Sequence, residues 1–205
     1  MNEHFDFKDG NGYVPAHRHH NGGGWVANTA RVADSAFVDP DARVYGYARV
    51  YWESRVYQCA EVYGHAEVDG NAQVYGYAKV YGHARVYQFA KVCGYAHVYN
   101  NARVFEHAEV YGHAHVRGYA EVHGNAEVHG NARVAGIERS DGYTFIYVPD
   151  GFGVMKVQAG CRDFTMEEAK IHWRVTRSGT PLGDETMEIL KSLKRLSKIK
   201  PERCV

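Results

Sequence analysis

Residues 42–83 read ARVYGY ARVYWE SRVYQC AEVYGH AEVDGN AQVYGY AKVYGH, seven consecutive copies of one six-residue unit. From Ala30 to Ile137 the unit occurs eighteen times without an insertion. Val occupies the third position of every unit, and Gly occupies the fifth position of eleven units. Ala and Val, two residues apart, point to the same side of an extended segment. Glycine, or Asn as at Asn100, then permits a corner with positive φ. A turn every six residues excludes helices and disfavours hairpins, and it predicts a triangular parallel β-helix of six coils.

The repeat resembles that of the hexapeptide-repeat family over residues 30–137. This resemblance implies a left-handed parallel β-helix and, as is usual in that family, a homotrimer. The flanking segments GYVPAHRH (12–19) and GGGWV (22–26) resemble uncharacterised hexapeptide-repeat proteins of bacteriophages and prophages. The expected fold is therefore mainly β, a left-handed parallel β-helix of about six coils with a small C-terminal α+β appendage.

The segments on either side of the repeat predict two further parts. Residues 1–29 are rich in Gly and His and are expected to cap the open first coil. Residues 138–205 predict a small α+β domain, in which strands 143–148 and 154–157 form a hairpin joined by 149–153. Thr165 and Glu168 form a capping box for a helix that ends near residue 175. Asp184 is expected to begin a second helix, whose apolar face contains Met187, Leu190, Leu193 and Leu196.

Charge and composition exclude several classes of protein. The 24 basic and 24 acidic residues balance, which argues against a nucleic-acid binder and against an acidic mimic of DNA. No apolar run approaches the roughly 18 residues that span a membrane, and the N-terminus lacks a signal-peptide pattern. The four cysteines have no C-x-x-C spacing, so reduced thiols are expected. We therefore expect a cytoplasmic protein, located in the host cytoplasm if it is encoded by a phage, with no nucleic-acid or membrane partner.

One outward column of the repeat is aromatic. The small Val and Ala side chains form a thin interior, so additional burial between subunits would stabilise the fold. Tyrosine suits such an interface because its ring can be buried while its hydroxyl stays in contact with water. The column predicts a homo-oligomer, and the family resemblance specifies a trimer. The predicted interface residues are Tyr45, Tyr63, Tyr81 and Tyr99.

Histidine raises the question of catalysis. Eight of the 13 histidines lie in the repeat, but adjacent pairs such as His97 and His115 lack an evident third metal ligand, so we expect no metal site. The family resemblance implies an acyl-CoA-dependent acyltransferase, with CoA as cosubstrate and a histidine base at the cleft between subunits. The repeat has no long inserted loop to cover an acceptor, and no histidine stands apart from the others. We therefore predict no catalytic residue. The candidates for the base would be His65, His83, His107 and His113.

Departures from Gly at the corners, together with their neighbours, form the candidate ligand site. Each departure gives up a residue that favours the turn. The set combines aromatic rings with amide and carboxylate groups, which suits a planar, polar ligand. Its members are Trp52, Gln58, Gln88, Phe89, Asn100, Phe105, Glu106 and His107.

These residues predict a non-catalytic, oligomeric protein that binds a small ligand, such as a nucleotide, at the seams between subunits. The family resemblance implies that such seams can hold the adenine nucleotide part of CoA. The phage-like flanks favour sequestration of a nucleotide signal used in host defence, a role that requires no cofactor. Two alternatives stay open, an acyl-CoA-dependent acyltransferase and a purely structural trimer.

Overall fold

A computed structural model describes residues 3–149, 155–159 and 162–196 of the chain. The repeat forms a parallel solenoid, in which each coil of 18 residues has three faces and each face is one hexad. Face 1 contains β3 (Trp25–Ala27), β6 (Arg43–Val44), β9 (Glu61–Val62), β12 (Lys79–Val80), β15 (His97–Val98), β18 (His115–Gly118) and β21 (Arg133–Glu138). Face 2 contains β4 (Arg31–Val32), β7 (Arg49–Val50), β10 (Glu67–Val68), β13 (Arg85–Val86), β16 (Arg103–Val104) and β19 (Glu121–Val122). Face 3 contains β5 (Phe37–Val38), β8 (Arg55–Val56), β11 (Gln73–Val74), β14 (Lys91–Val92), β17 (Glu109–Val110) and β20 (Glu127–Val128).

Successive coils lie in strict register. Each strand pairs in parallel with the strand eighteen residues later, so Val44 lies beside Val62 and Val62 beside Val80. The Ala and Val side chains of the hexads fill the interior, where most of them are fully buried. Ser54 replaces Ala in this interior, and its hydroxyl donates to the carbonyl oxygen of Tyr51 at 2.7 Å. The one polar side chain in the Ala column is therefore hydrogen-bonded, as burial requires.

The fifth residue of each hexad, the corner residue, turns the chain from one face to the next. We name the three edges of the solenoid edge 1–2, edge 2–3 and edge 3–1, after the faces that they join. Every corner glycine from Gly46 to Gly130 has a φ between 64° and 74°. The five corner residues singled out from the sequence adopt the same conformation, with φ between 57° and 61°. From Gly46 to Gly130 the corners therefore adopt positive φ whether or not Gly occupies them, whereas the terminal corner residues Asp34, Pro40 and Gly136 do not.

The N-terminal segment covers the first coil. β1 (Glu3–Asp6) and β2 (Tyr13–Arg18) form an antiparallel hairpin, and β2 pairs antiparallel with β3. At the open edge of face 3, the N–H of Val38 donates to the carbonyl oxygen of Asn21 at 3.0 Å. The sequence predicts only a cap over residues 1–29, but β3 within that segment already pairs in parallel with β6 and begins face 1.

The last coil is covered by an antiparallel extension of face 1. β21 pairs with β22 (Thr144–Pro149), which pairs with β23 (Met155–Ala159), which pairs with β24 (Arg162–Thr165). Ile146 and Val148 pack against the solenoid interior, while Phe145 and Tyr147 pack in a second apolar cluster with the helices. Strand β22 therefore joins the core of the solenoid to the core of the appendage.

Two helices complete the appendage. The first, α1 (Met166–Arg177), begins at the predicted capping box, in which the N–H of Thr165 donates to Glu168 Oε2 at 2.7 Å. The second, α2 (Pro181–Leu196), begins three residues before Asp184. The sequence did not predict β24, and the predicted residues 150–154, together with Cys161 and Cys204, lie outside the described residues. The mainly β fold, with a six-coil parallel solenoid and two C-terminal helices, is confirmed. Neither α1 nor α2, the helices of the described residues, is long and apolar enough to cross a membrane.

A cavity in the middle of the stack should destabilise the whole solenoid. Val86 lies on face 2 and is fully buried, so Val86→Ala should lower the free energy of unfolding by about 1–3 kcal/mol. The control is Val175→Ala in α1, where the side chain is exposed and the change should be close to neutral. Urea unfolding followed by circular dichroism measures both, and equal midpoints for the two variants would contradict the described interior.

Candidate functional site

Six of the eight predicted ligand residues meet along edge 2–3. Trp52, Gln88 and Glu106 occupy successive non-glycine corners there, separated by Gly70. Phe105 precedes this column of corners, and Phe89 and His107 follow it. The other two predicted residues are elsewhere, since Gln58 is a corner of edge 3–1 and Asn100 is a corner of edge 1–2.

A groove of about 570 Å³ runs along edge 2–3 beside these corners. One wall is formed by the residues that follow the corners of edge 2–3, such as Asn71 and Phe89. The other wall is formed by outward residues of face 3, such as Gln73 and Lys91. Of the predicted residues, Phe89 and His107 line it, while the other lining residues were not singled out. Their spacing of eighteen residues could have identified them, but only the corner residues and their neighbours were considered as a ligand site. The lining residues are Glu53, Arg55, Asn71, Gln73, Phe89, Lys91 and His107.

The groove combines an aromatic surface with amides and cations. Phe89 is 54% exposed and stacks on His107 with ring centroids 5.1 Å apart. Asn71 offers both a hydrogen-bond donor and an acceptor to the groove, and Gln73 offers its amide N–H, because its Oε1 accepts from the Tyr57 hydroxyl at 3.0 Å. Arg55 and Lys91 supply positive charge, and Lys91 Nζ pairs with Glu109 Oε1 at 2.9 Å. Among the described residues, Arg55 makes no ion pair, although its guanidinium lies 5.3 Å from the ring centroid of Phe37.

Three of the predicted corner residues have a structural task. Gln88 Oε1 accepts a hydrogen bond from the N–H of Glu106 at 2.8 Å, and Glu106 Oε2 accepts one from the N–H of Gly124 at 2.6 Å. At edge 3–1, Gln58 Oε1 accepts a hydrogen bond from the N–H of Gly76 at 2.8 Å. In each case the side chain caps the corner amide of the next coil. These residues therefore offset part of the strain of their own positive φ.

The predicted tyrosine column forms a continuous stack on face 1. Rings of Tyr45, Tyr63, Tyr81 and Tyr99 lie 4.8–5.0 Å apart and nearly parallel. Tyr45 is buried within the chain, because the ring of Phe7 stacks on it at 4.9 Å. The other three tyrosines are half-buried. Part of the aromatic column is thus covered without a second subunit.

The histidines fall into two groups. His65, His83, His107 and His113 are exposed, and each stacks on an aromatic ring of the preceding coil. His97 and His115 are half-buried on face 1 and stack at 4.8 Å. Burial lowers the pKa of His115 to about 4, and the nearby positive charges of His97 and Arg133 act in the same direction. Within the described part of the chain, no group of three His, Cys, Asp or Glu side chains could hold a metal ion.

No family model, curated protein or solved structure matches the chain. The structure itself shows a parallel β-solenoid of about six coils, which is compatible with a hexapeptide-repeat β-helix. The geometry of edge 2–3 therefore carries the functional argument.

Half-buried His115 on face 1 predicts a pH dependence of stability. The pKa of His115 is about 4 in the folded chain and near 6.5 in the unfolded chain, so the unfolded state binds more protons between these values. The free energy of unfolding should fall as the pH drops from about 6.5 to about 4, with no contribution from His115 at pH 7. Urea unfolding of His115→Asn should show a smaller loss between pH 7 and pH 4.5 than the wild type. Exposed His83→Asn is the control, and identical losses in both variants would overturn the prediction.

Proposed function

We propose that the protein is a non-catalytic, oligomeric solenoid that binds a nucleotide in the groove of edge 2–3. The observation that carries this proposal is the exposed ring of Phe89 in a groove that also contains amides and cations. An aromatic ring offers a stacking surface for a base, and Asn71 and Gln73 can pair with the edge of that base. Arg55 and Lys91 supply the positive charge that phosphate groups require.

The proposed biological role follows from nucleotide binding in this groove. The resemblance of the flanks to bacteriophage proteins favours sequestration of a nucleotide signal used in host defence. Sequestration needs tight binding and no chemical step. It therefore agrees with a groove whose residues offer stacking, hydrogen bonds and charge.

We propose further that the protein is a homotrimer and that face 1 contributes to the interface between its subunits. Tyr63, Tyr81 and Tyr99 form a stacked, half-buried surface that a second copy could cover. If edge 1–2 faces a threefold axis, face 1 of one copy packs against face 2 of the next. Edge 2–3 then lies at the outer rim of that contact. In this arrangement the groove, whose second wall belongs to face 3, lies next to the seam between subunits.

Light scattering during size-exclusion chromatography tests the assembly. The wild type should have three times the chain mass of 23.1 kDa. Tyr81→Arg should shift the mass toward the monomer, because it introduces a charge into the proposed interface. Val175→Arg, on the exposed surface of α1, is the control and should remain a trimer. A monomeric wild type at micromolar concentration would contradict the proposal.

Calorimetric titration with AMP, GMP, CMP and UMP tests the groove. At least one nucleotide should bind, and at 100 times its dissociation constant it should stabilise the fold by about 2.7 kcal/mol. Phe89→Ala and Lys91→Gln should each weaken binding about tenfold or more, because they remove a stacking surface and a positive charge.

The control for the aromatic variant is Tyr95→Ala. Tyr95 is 51% exposed, against 54% for Phe89, and it occupies the equivalent position in the same coil on the following edge. Its removal should leave the affinity unchanged. Failure of all four nucleotides to bind would favour the structural trimer, and unchanged affinity in both groove variants would move the site elsewhere.

A further inference from the structure

The column of corners at edge 2–3 is interrupted at Gly70. In the two following coils, a side-chain oxygen of Gln88 or Glu106 caps the corner N–H of the next coil. Gly70 has no side chain with which to cap the N–H of Gln88, and the indole of Trp52 has no oxygen with which to cap Gly70. Among the described residues, neither of these two amides donates a hydrogen bond. We call this interruption the Gly70 gap.

Aromatic rings border the Gly70 gap in both neighbouring coils. Trp52, the corner of the preceding coil, is 72% exposed. Phe89, beside the corner of the next coil, is 54% exposed. The side chain of Gln88 reaches away from the gap, because it caps Glu106 in the coil beyond. The gap is therefore bordered by Trp52 in the column of corners, while Asn71 and Phe89, which follow Gly70 and Gln88 in the chain, line the adjoining wall of the groove.

The corner side chains on either side of the gap, Trp52 and Gln88, are two coils apart, so a planar ring at the level of Gly70 would lie one step of the aromatic ladders from each of them. Stacked rings on successive coils have centroids 4.8–5.3 Å apart, as in the Tyr63–Tyr81 and Tyr111–His129 pairs. A planar ring that takes the place of one missing side chain would continue such a ladder. Trp52 adds a second indication, because a bulky residue with a φ of 59° is strained and its side chain caps no amide.

Resting on the nucleotide binding proposed above, we infer that the base of the ligand enters the Gly70 gap and that its carbonyl oxygen accepts a hydrogen bond from the N–H of Gln88. The oxygen would take the position that Gln88 Oε1 takes toward Glu106 in the next coil. The ligand class is therefore an oxo-bearing base, such as a 6-oxopurine. The carbonyl of Asn71 can accept a hydrogen bond from the adjacent ring N–H of such a base.

A 6-aminopurine fits this arrangement poorly. Its amino group is a donor and would meet the N–H of Gln88, so that both donors would remain unpaired. Inosine monophosphate and adenosine monophosphate differ at this part of the base and share the same sugar and phosphate. They therefore form a matched pair of probes for the carbonyl contact.

Calorimetric titration of the wild type with these two probes is the first test. Inosine monophosphate should bind about tenfold more tightly than adenosine monophosphate, because a hydrogen bond to the N–H of Gln88 is replaced by a contact between two donors. Equal affinities, or tighter binding of adenosine monophosphate, would overturn the inference. This comparison needs no variant and does not depend on how a substitution folds.

The second test closes the gap. Gly70→Gln should fold, because Gln88 occupies an equivalent corner with a φ of 61°. Its side chain should cap Gln88 as Gln88 caps Glu106, and should weaken binding of inosine monophosphate at least about tenfold.

The matched control is Gly94→Gln at edge 3–1. A Cβ there would lie 3.0 Å from the N of Gly112, and a Cβ on Gly70 would lie 3.0 Å from the N of Gln88. The control should bind inosine monophosphate as the wild type does. Circular dichroism melting confirms that both variants are folded.

The outcomes separate the two proposals. If the wild type binds no nucleotide, the proposed function and this inference both fail. A different result is that nucleotides bind and that Phe89→Ala weakens their binding while Gly70→Gln does not. In that case the groove binds nucleotides but the base lies outside the gap, and only this inference is wrong.

Discussion

The hydrogen bonds between successive coils are the constraint on which the rest of the structure depends. The N–H of Tyr63 donates to the carbonyl oxygen of Val80, and the same bond recurs along each face. Because this register is fixed at eighteen residues, every outward side chain lies beside its equivalent in the next coil. Columns of rings then stack, and columns of charges pair, as Glu67 does with both Arg49 and Arg85. A local change in one hexad therefore alters a column and leaves the fold unchanged.

The corners show how this constraint separates stability from function. A residue other than Gly at positive φ costs on the order of 1 kcal/mol, and a hydrogen bond returns about as much. Gln58, Gln88 and Glu106 recover this cost by capping the next coil. Trp52 has the same conformation and caps nothing, so its presence needs another explanation. A ligand that stacks beside it supplies one.

Much of the solenoid was predictable because the six-residue period fixes which side chains point into the interior. The alternation of Ala and Val identified the interior, and Thr165 with Glu168 identified the start of α1. The antiparallel strand β24 was not predictable, since RDFT has no alternation and pairs only through β23. The burial of Tyr45 depends on Phe7, whose position is set by the hairpin and leaves no pattern in the sequence. The groove was missed because its two walls belong to different columns of the repeat. The capping of corner amides was missed because it depends on the direction of the side chain, which the sequence does not give.

Binding of the ligand where a column is interrupted can be observed in a crystal structure of the protein with inosine monophosphate. A purine ring should lie in the Gly70 gap beside Trp52, with its carbonyl oxygen within hydrogen-bond distance of the backbone N of Gln88. The phosphate should lie toward Arg55 and Lys91. A purine bound at another surface, with the Gly70 gap empty at saturating ligand, would contradict the account.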